Sequence, residues 1–338
     1  MEKDKIFELV QKYINSIPVI LLGSGASAPY GIATMSMLAI ELKKNLAGFT
    51  APEDTECIQK FIQELDKHND LEQALLAIKA TANVEKRIQE VTWKLINQGD
   101  TQVLNKIQQF ERLGLTSLFE HLINHTSNRR IDIITTNYDR LAEYAASQTQ
   151  AFVNTGFTHC LIGNFMDDQT MEHYCQLKDY IGLINIWKVH GSLDWFHREG
   201  NILCYQNSTY IPINHTPSII TPGTNKYEKS LENPWRTIMQ RVDQSFKQAT
   251  AFLCIGYGFN DNHIHPKLIE RIKAKVPLIV ITKLMSPKAH ELIQKNSEKY
   301  IILEETDGKT LVSTPDSPDG VKLDGNYWTI DGLMKILE

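Results

Sequence analysis

A chain of 338 residues, 42% hydrophobic and 22% charged, has the apolar content for a sizeable core and excludes extensive disorder. Its formal net charge of −5, with no compensating basic block, argues against a general nucleic-acid binder. The five cysteines, Cys57, Cys160, Cys175, Cys204 and Cys254, are odd in number and form no CxxC pair, so a disulfide framework and a structural zinc site both lack support.

The chain opens on MEKDKIFELVQKYINS, amphipathic and charged, without the uninterrupted apolar stretch of a signal peptide; the expectation is a cytoplasmic protein that is not exported. The run PVILL (18–22) is strand-sized and too short to span a bilayer. It leads into Gly23-Ser24-Gly25-Ala26-Ser27 and a helical pattern at 34–48. Residues 50–126 are helix-like throughout, with Leu71, Leu75, Ile78 and Ala82 at helical spacing; they read as an all-helical insertion whose apolar stripe packs its own helices. Next come a strand IDIIT (131–135), the segment Thr135-Thr136-Asn137-Tyr138-Asp139, and a helix at 138–148. Residues 151–183 read as irregular, and INIWKV (184–189) as a strand ending in Val189-His190-Gly191-Ser192. Residues 197–230 again read as irregular. The remainder alternates helix 235–249, strand 251–255, the loop Gly256-Tyr257-Gly258-Phe259-Asn260-Asp261, helix 262–275, strand 277–282, helix 286–297 and strand 300–303.

Short, continuously apolar strands alternating with helices predict a three-layer, doubly wound α/β domain with a parallel, Rossmann-like sheet. The expected organisation is one domain over 1–338 carrying the helical insertion at 50–126. All the site-like residues fall at strand ends, where ligands bind in such sheets. The insertion and the two irregular stretches are therefore expected to govern assembly and access rather than chemistry.

Each strand end has its own chemistry. Glycines at 23 and 25 let the backbone approach a pyrophosphate and aim N–H groups at it, and Ser27 can bond a phosphate oxygen or cap a helix. Asn137 offers neutral donors and an acceptor for ribose hydroxyls or water. Asp139 reads as a first-turn carboxylate of the next helix. His190, followed by a permissive glycine, is a general-base candidate. Gly256 and Tyr257 repeat the glycine-loop pattern.

In this order, GSGAS with Gly31, TTNYD, VHGS and GYGFND resemble the silent-information-regulator (sirtuin) superfamily over roughly 15–300. The segment IITPGTNKYEKSLENPWRTIMQ, with Pro222, Lys226 and Trp235, resembles the bacterial sirtuin-like branch of anti-phage defence. The resemblance implies that Gly23, Gly25 and Ser27 hold the pyrophosphate of NAD, with Ser24, Ala26, Gly31 and Thr136 in the same cofactor-binding set. It places Gly256 and Tyr257 on the phosphate and adenosine-ribose side, the strand PLIVIT under the adenosine and Lys283 near its end. Asn137, His190 and Asp139 become the catalytic set: Asn137 positions the nicotinamide ribose and water, His190 is the base, and Asp139 lies near the nicotinamide.

Sirtuin deacetylases also carry a zinc module of paired CxxC motifs and a proline–acid–aromatic–arginine run over nicotinamide. Neither is present, since the residues after Gly31 read IATMSMLA. The resemblance thus implies an NAD glycohydrolase that uses NAD as substrate without a metal. It further implies a homo-oligomer working with a HerA-like ring ATPase translocase or an Argonaute-like partner, and neither membrane nor direct nucleic-acid binding. The competing readings are an NAD-dependent deacylase or ADP-ribosyltransferase, and a non-catalytic module sensing NAD or ADP-ribose. A nuclease lacks the carboxylate cluster that metal ions need.

Overall fold

A computed structural model describes residues 2–48, 51–126, 129–176, 179–222, 232–261 and 263–338. The strands that the apolar runs predict form one sheet, which also takes in a short strand, Phe152–Asn154, from a stretch read as irregular. β1 (Val19–Leu22) lies at its centre, with β2 (Arg130–Thr135), β3 (Phe152–Asn154) and β5 (Leu183–Lys188) on one side. β9 (Phe252–Ile255), β10 (Leu278–Thr282) and β11 (Tyr300–Thr306) lie on the other. These seven strands pair in parallel, with Ile20 opposite both Ile133 and Leu253. Two further strands, β12 (Lys309–Thr314) and β13 (Ser317–Leu323), extend the β11 edge in antiparallel fashion.

The period of two sorts each strand between two cores. Ile20, Leu22, Leu253, Ile255, Ile279 and Ile281 face one layer. That layer includes α1 (Glu2–Ile14), α7 (Gly114–His125), α8 (Leu141–Ser147) and α13 (Ile330–Leu337). Val19, Leu21, Phe252, Cys254, Leu278 and Val280 face the opposite one, which includes α10 (Trp235–Gln248), α11 (His265–Lys273) and α12 (Pro287–Asn296). The architecture is therefore the expected three-layer, mostly parallel α/β fold, and its strand order changes direction at β1.

Between β1 and β2 stand α2 (Ser24–Ser27), α3 (Met35–Ala47), α4 (Pro52–His68), α5 (Leu71–Leu76) and α6 (Ala82–Gln108), followed by α7. Leu42, Phe61, Leu71, Leu75 and Ile88 belong to a third core built by α3, α4, α5 and the first half of α6. The second half of α6 packs on the sheet through Trp93, Ile96 and Val103. Helices over the stretch 50–126 therefore serve two cores.

The stretches read as irregular hold regular structure. β4 (Ile162–Asn164), β6 (Gly191–Arg198), β7 (Asn201–Tyr205) and β8 (Thr216–Ile219) form a second, antiparallel sheet in the order β4-β7-β6-β8, and α9 spans Asp168–Tyr174. Its strands are short and polar on their exposed face, so they lack the continuous apolar signature of the buried sheet. Asp139 also departs from expectation: α8 begins at Leu141, and Asp139 precedes it, its Oδ1 accepting the Leu141 amide at 3.1 Å.

Candidate active site

The carboxyl ends of β1, β2, β5, β9 and β10 open on one cavity of about 770 Å³. Of the residues picked out in the sequence, Gly23, Ser24, Ser27, Thr136, Asn137, Asp139, His190 and Tyr257 line it, whereas Gly25, Ala26, Gly31, Gly256 and Lys283 do not. Lys283 is exposed, and Ser286 and Lys288, three and five residues further on, reach the cavity in its place. Gly31 adopts φ 82° and packs away from the site; a Cβ on Gly99 in α6 would come within 2.6 Å of its carbonyl oxygen. Lys226 lies outside the described residues.

The glycines at 23, 25 and 256 bring two loops together. A Cβ on Gly23 would lie 2.4 Å from the Gly256 oxygen, and one on Gly256 would lie 2.3 Å from the Ala26 nitrogen. The Gly23 amide donates to Ile255 at 3.1 Å, Gly25 to Gly256 at 3.1 Å, and Ala26 to Gly23 at 3.0 Å. Those three N–H groups are spent on the protein and are not aimed at a ligand. The small residues thus knit β1 to β9, and the ligand-facing groups of this loop are Ser24 and Ser27.

Asn137 sits on the turn after β2. Its Nδ2 donates to the Gly23 carbonyl at 2.9 Å and to Ser27 Oγ at 3.1 Å. With both amide protons engaged, Oδ1 is the group left for a ligand, a neutral acceptor for a hydroxyl or a water. Asp139 is buried beside Ser27, and burial pushes its carboxyl above the usual range, opposed by Lys188 and by hydrogen bonds from Leu141 and Ser27. Lys188 donates to the Asp139 carbonyl and pairs with Glu143 at 3.1 Å.

His190 follows β5, its side chain 11% exposed, and its Nε2 lies 2.9 Å from Asp261 Oδ2. The two groups are close enough to pair yet off the line of a hydrogen bond, a looseness common before a substrate tightens a site. Asp261 is held by its other oxygen, which accepts the His263 and Ile264 amides at 2.9 and 3.0 Å. The sequence pattern marked GYGFND as a glycine loop and assigned Asp261 no role. Its signal was an acid at the start of a helix, which a capping reading accounts for equally well.

The helical segment also reaches the site: α5 and the turn before it contribute Asn69, Asp70, Glu72, Gln73 and Leu76 to the cavity wall. Tyr257 is 5% exposed and its hydroxyl has no hydrogen-bond partner among the described residues. Among the described residues no group of three His, Cys, Asp or Glu side chains converges as metal ligands, and no helix is long and apolar enough to cross a membrane.

No curated protein matches the chain. Among solved structures it is similar to a Sir2 enzyme from a study of mechanism and regulation, 13% identical with a TM-score of 0.47 over 100% of this chain and 97% of that one. It is also similar to a Sir2 homologue in complex with NAD (15%, TM-score 0.44, 87% of each chain). A third is Sir2Tm bound to a propionylated peptide (13%, TM-score 0.45, 89% of this chain and 92% of that). The SIR2-like domain family matches residues 132–306, which carry Asn137, Asp139, His190 and Asp261 but not the Gly23 loop or the helical segment. Since that match covers more than half of its length, the chain belongs to the SIR2-like domain family.

Proposed function

We propose that the protein is an NAD glycohydrolase, cleaving NAD to nicotinamide and ADP-ribose, and that it acts as an NAD-depleting effector of anti-phage defence. The observation that carries the reading is the pairing of His190 with Asp261 on the wall of the cavity that Asn137 also lines. Nicotinamide departs as a neutral base with the electrons of its bond to the ribose C1′, so no general acid is required, and the ribose acquires oxocarbenium character. Asn137 Oδ1 accepts a hydrogen bond from the incoming water and aims its oxygen at C1′. With the imidazole proton on Nε2 towards Asp261, Nδ1 presents its lone pair and takes the proton that the water loses. Asp261 orients the ring and offsets the imidazolium charge, an arrangement typically worth roughly 10²–10⁴-fold. Asp139 adds negative potential below the ribose. On this reading the cofactor-binding set is Ser24, Ser27, Thr136 and Tyr257, with Ser286 and Lys288 on the adenosine side.

A second reading, removal of an acyl group from lysine, draws on Met35 and Leu76, both exposed and both lining the cavity. An acylated-peptide assay separates the two. Homo-oligomerisation and a HerA-like or Argonaute-like partner belong to the same proposal, resting on the defence-branch resemblance. The test is NAD turnover by the purified chain, alone and with candidate partners. His190→Ala, Asn137→Ala and Asp261→Asn are each expected to lower it about a hundredfold or more with the melting transition retained. Full turnover by a folded His190→Ala variant refutes the mechanism.

A further inference from the structure

Ser286 and Lys288 line the cavity from beyond β10, on a turn that packing fixes poorly. Of residues 283–288, Met285 alone is buried. The polar anchor of this turn is Glu304, 8% exposed near the end of β11 and opposite Thr282 in the sheet. Its Oε1 accepts the Met285 amide at 2.6 Å, and its Oε2 accepts from His290 Nε2 at 2.8 Å. One carboxylate therefore holds the chain on both sides of Ser286–Lys288, and both of its oxygens serve that purpose. Charge-assisted bonds of this kind are about twice as strong as neutral ones. Ser286 adds a cap, its Oγ accepting the Ala289 amide at 3.2 Å. The sheet sets the distance from this turn to the chemistry. β10 stands three strands from β2 and four from β5, which is roughly 14 and 19 Å at about 4.8 Å per step. Asn137 and His190 follow β2 and β5, so Lys288 serves the far end of the cavity. Among the described lining residues it is the one lysine, and there is no arginine.

We infer that Glu304 is a positioning residue for the proposed reaction: by clamping Met285 and His290 it holds Lys288 against the adenosine half of NAD. The inference rests on the NAD reading above. A dinucleotide whose nicotinamide ribose meets Asn137 and His190 reaches the β10 end with its adenosine half. There the ammonium group of Lys288 attracts the adenosine-side phosphate as a point charge. This contact lies away from the bond that breaks, so it is equal in the ground state and the transition state. Its loss therefore raises KM and spares kcat.

The test compares Glu304→Ala with Glu304→Gln in the full chain. Initial rates are measured on NAD, and ADP-ribose and nicotinamide mononucleotide, which lacks the adenosine half, are titrated. For Glu304→Ala the KM for NAD and the Kd for ADP-ribose are expected to rise about tenfold, with kcat and mononucleotide affinity within about twofold of wild type. Glu304→Gln is expected to keep wild-type values, because its amide accepts from Met285 and donates to a neutral His290 ring. Adding Lys288→Ala to Glu304→Ala is expected to weaken ADP-ribose no further, since two residues acting through one contact are not additive. Should Glu304→Ala fail to fold, His290→Ala, which opens one side of the clamp, carries the same expectation. A fall in kcat with KM unchanged, an equal weakening of the mononucleotide, or full additivity with Lys288→Ala overturns the inference. A wild-type chain that neither turns NAD over nor binds ADP-ribose removes the NAD reading and this inference together. One that turns NAD over with a KM indifferent to Glu304→Ala removes the inference alone.

Discussion

At residue scale the site is defined by what each side chain leaves over after its internal bonds. Asn137 spends its amide protons on Gly23 and Ser27, so its chemistry towards a ligand is that of an acceptor. Tyr257 is the converse case, a phenol 5% exposed with no partner among the described residues; burial first, then the charge of Asp261, pushes its pKa well up, so it stays protonated and keeps a hydrogen to donate. A buried tyrosine with a partner loses stability when its hydroxyl is removed, whereas an orphaned one does not. Tyr257→Phe is therefore expected to leave the unfolding free energy unchanged or raised by about 1 kcal/mol, while weakening NAD several-fold. Chemical denaturation and NAD titration on the same variant check both halves, and a clear loss of stability refutes the assignment.

At the scale of elements, the loops after β1 and β9 act as one unit because their glycines touch. Gly256 has φ 55°, a left-handed conformation, and its Cβ position overlaps backbone atoms of Gly25 and Ala26. Nothing there can yield as a flexible side chain can. Gly256→Ala is expected to cost about 3 kcal/mol or more, at the upper end of single substitutions, read as a lowered denaturant midpoint. The buried parallel strands were legible in the sequence, because burial on both faces writes itself as an unbroken apolar run such as PVILL or PLIVIT. The antiparallel strands were not, because half-exposed strands mix polar residues into the pattern. Their signals were in the turns. Glu199-Gly200, between Arg198 and Asn201, and Asp307-Gly308, between Thr306 and Lys309, both pair positive φ values across a two-residue hairpin. At the site, the strand-end motifs drew attention to Asn137, Asp139 and His190 through local sequence. Asp261 meets His190, and Glu72 meets the cavity, only by chain folding over long separations, which a linear pattern does not contain.

At the scale of the whole molecule, a buried ionic cluster beneath the site ties the layers together. Arg140 pairs with Asp100 of α6 at 2.5 Å, Tyr144 donates to the same carboxylate at 2.8 Å, and Lys188 of β5 pairs with Glu143 of α8 at 3.1 Å. Burial pushes the Glu143 carboxyl up from 4.5 to about 7, with Lys188 opposing the rise. The folded state then holds a proton that the unfolded chain releases at lower pH. The stabilisation is fully present below the unfolded value and is lost as pH rises through the folded one. Stability is expected to fall between about pH 4.5 and 7, and Glu143→Gln is expected to flatten this fall by on the order of 3 kcal/mol, measured as unfolding free energy across that window. A second consequence lies in α6, which runs unbroken for 27 residues from the helical core to the sheet. Where it crosses the Gly31 turn, Gly99 lets the two backbones touch, which makes that crossing a fulcrum. The arm from Gly99 to the start of the helix is roughly 25 Å long at 1.5 Å per residue. A tilt of about 5° there swings the helical core, and α5 with it, by roughly 2 Å over such an arm. Leverage of that kind would convert a small push at the far end of α6 into an opening or narrowing of the cavity that α5 lines.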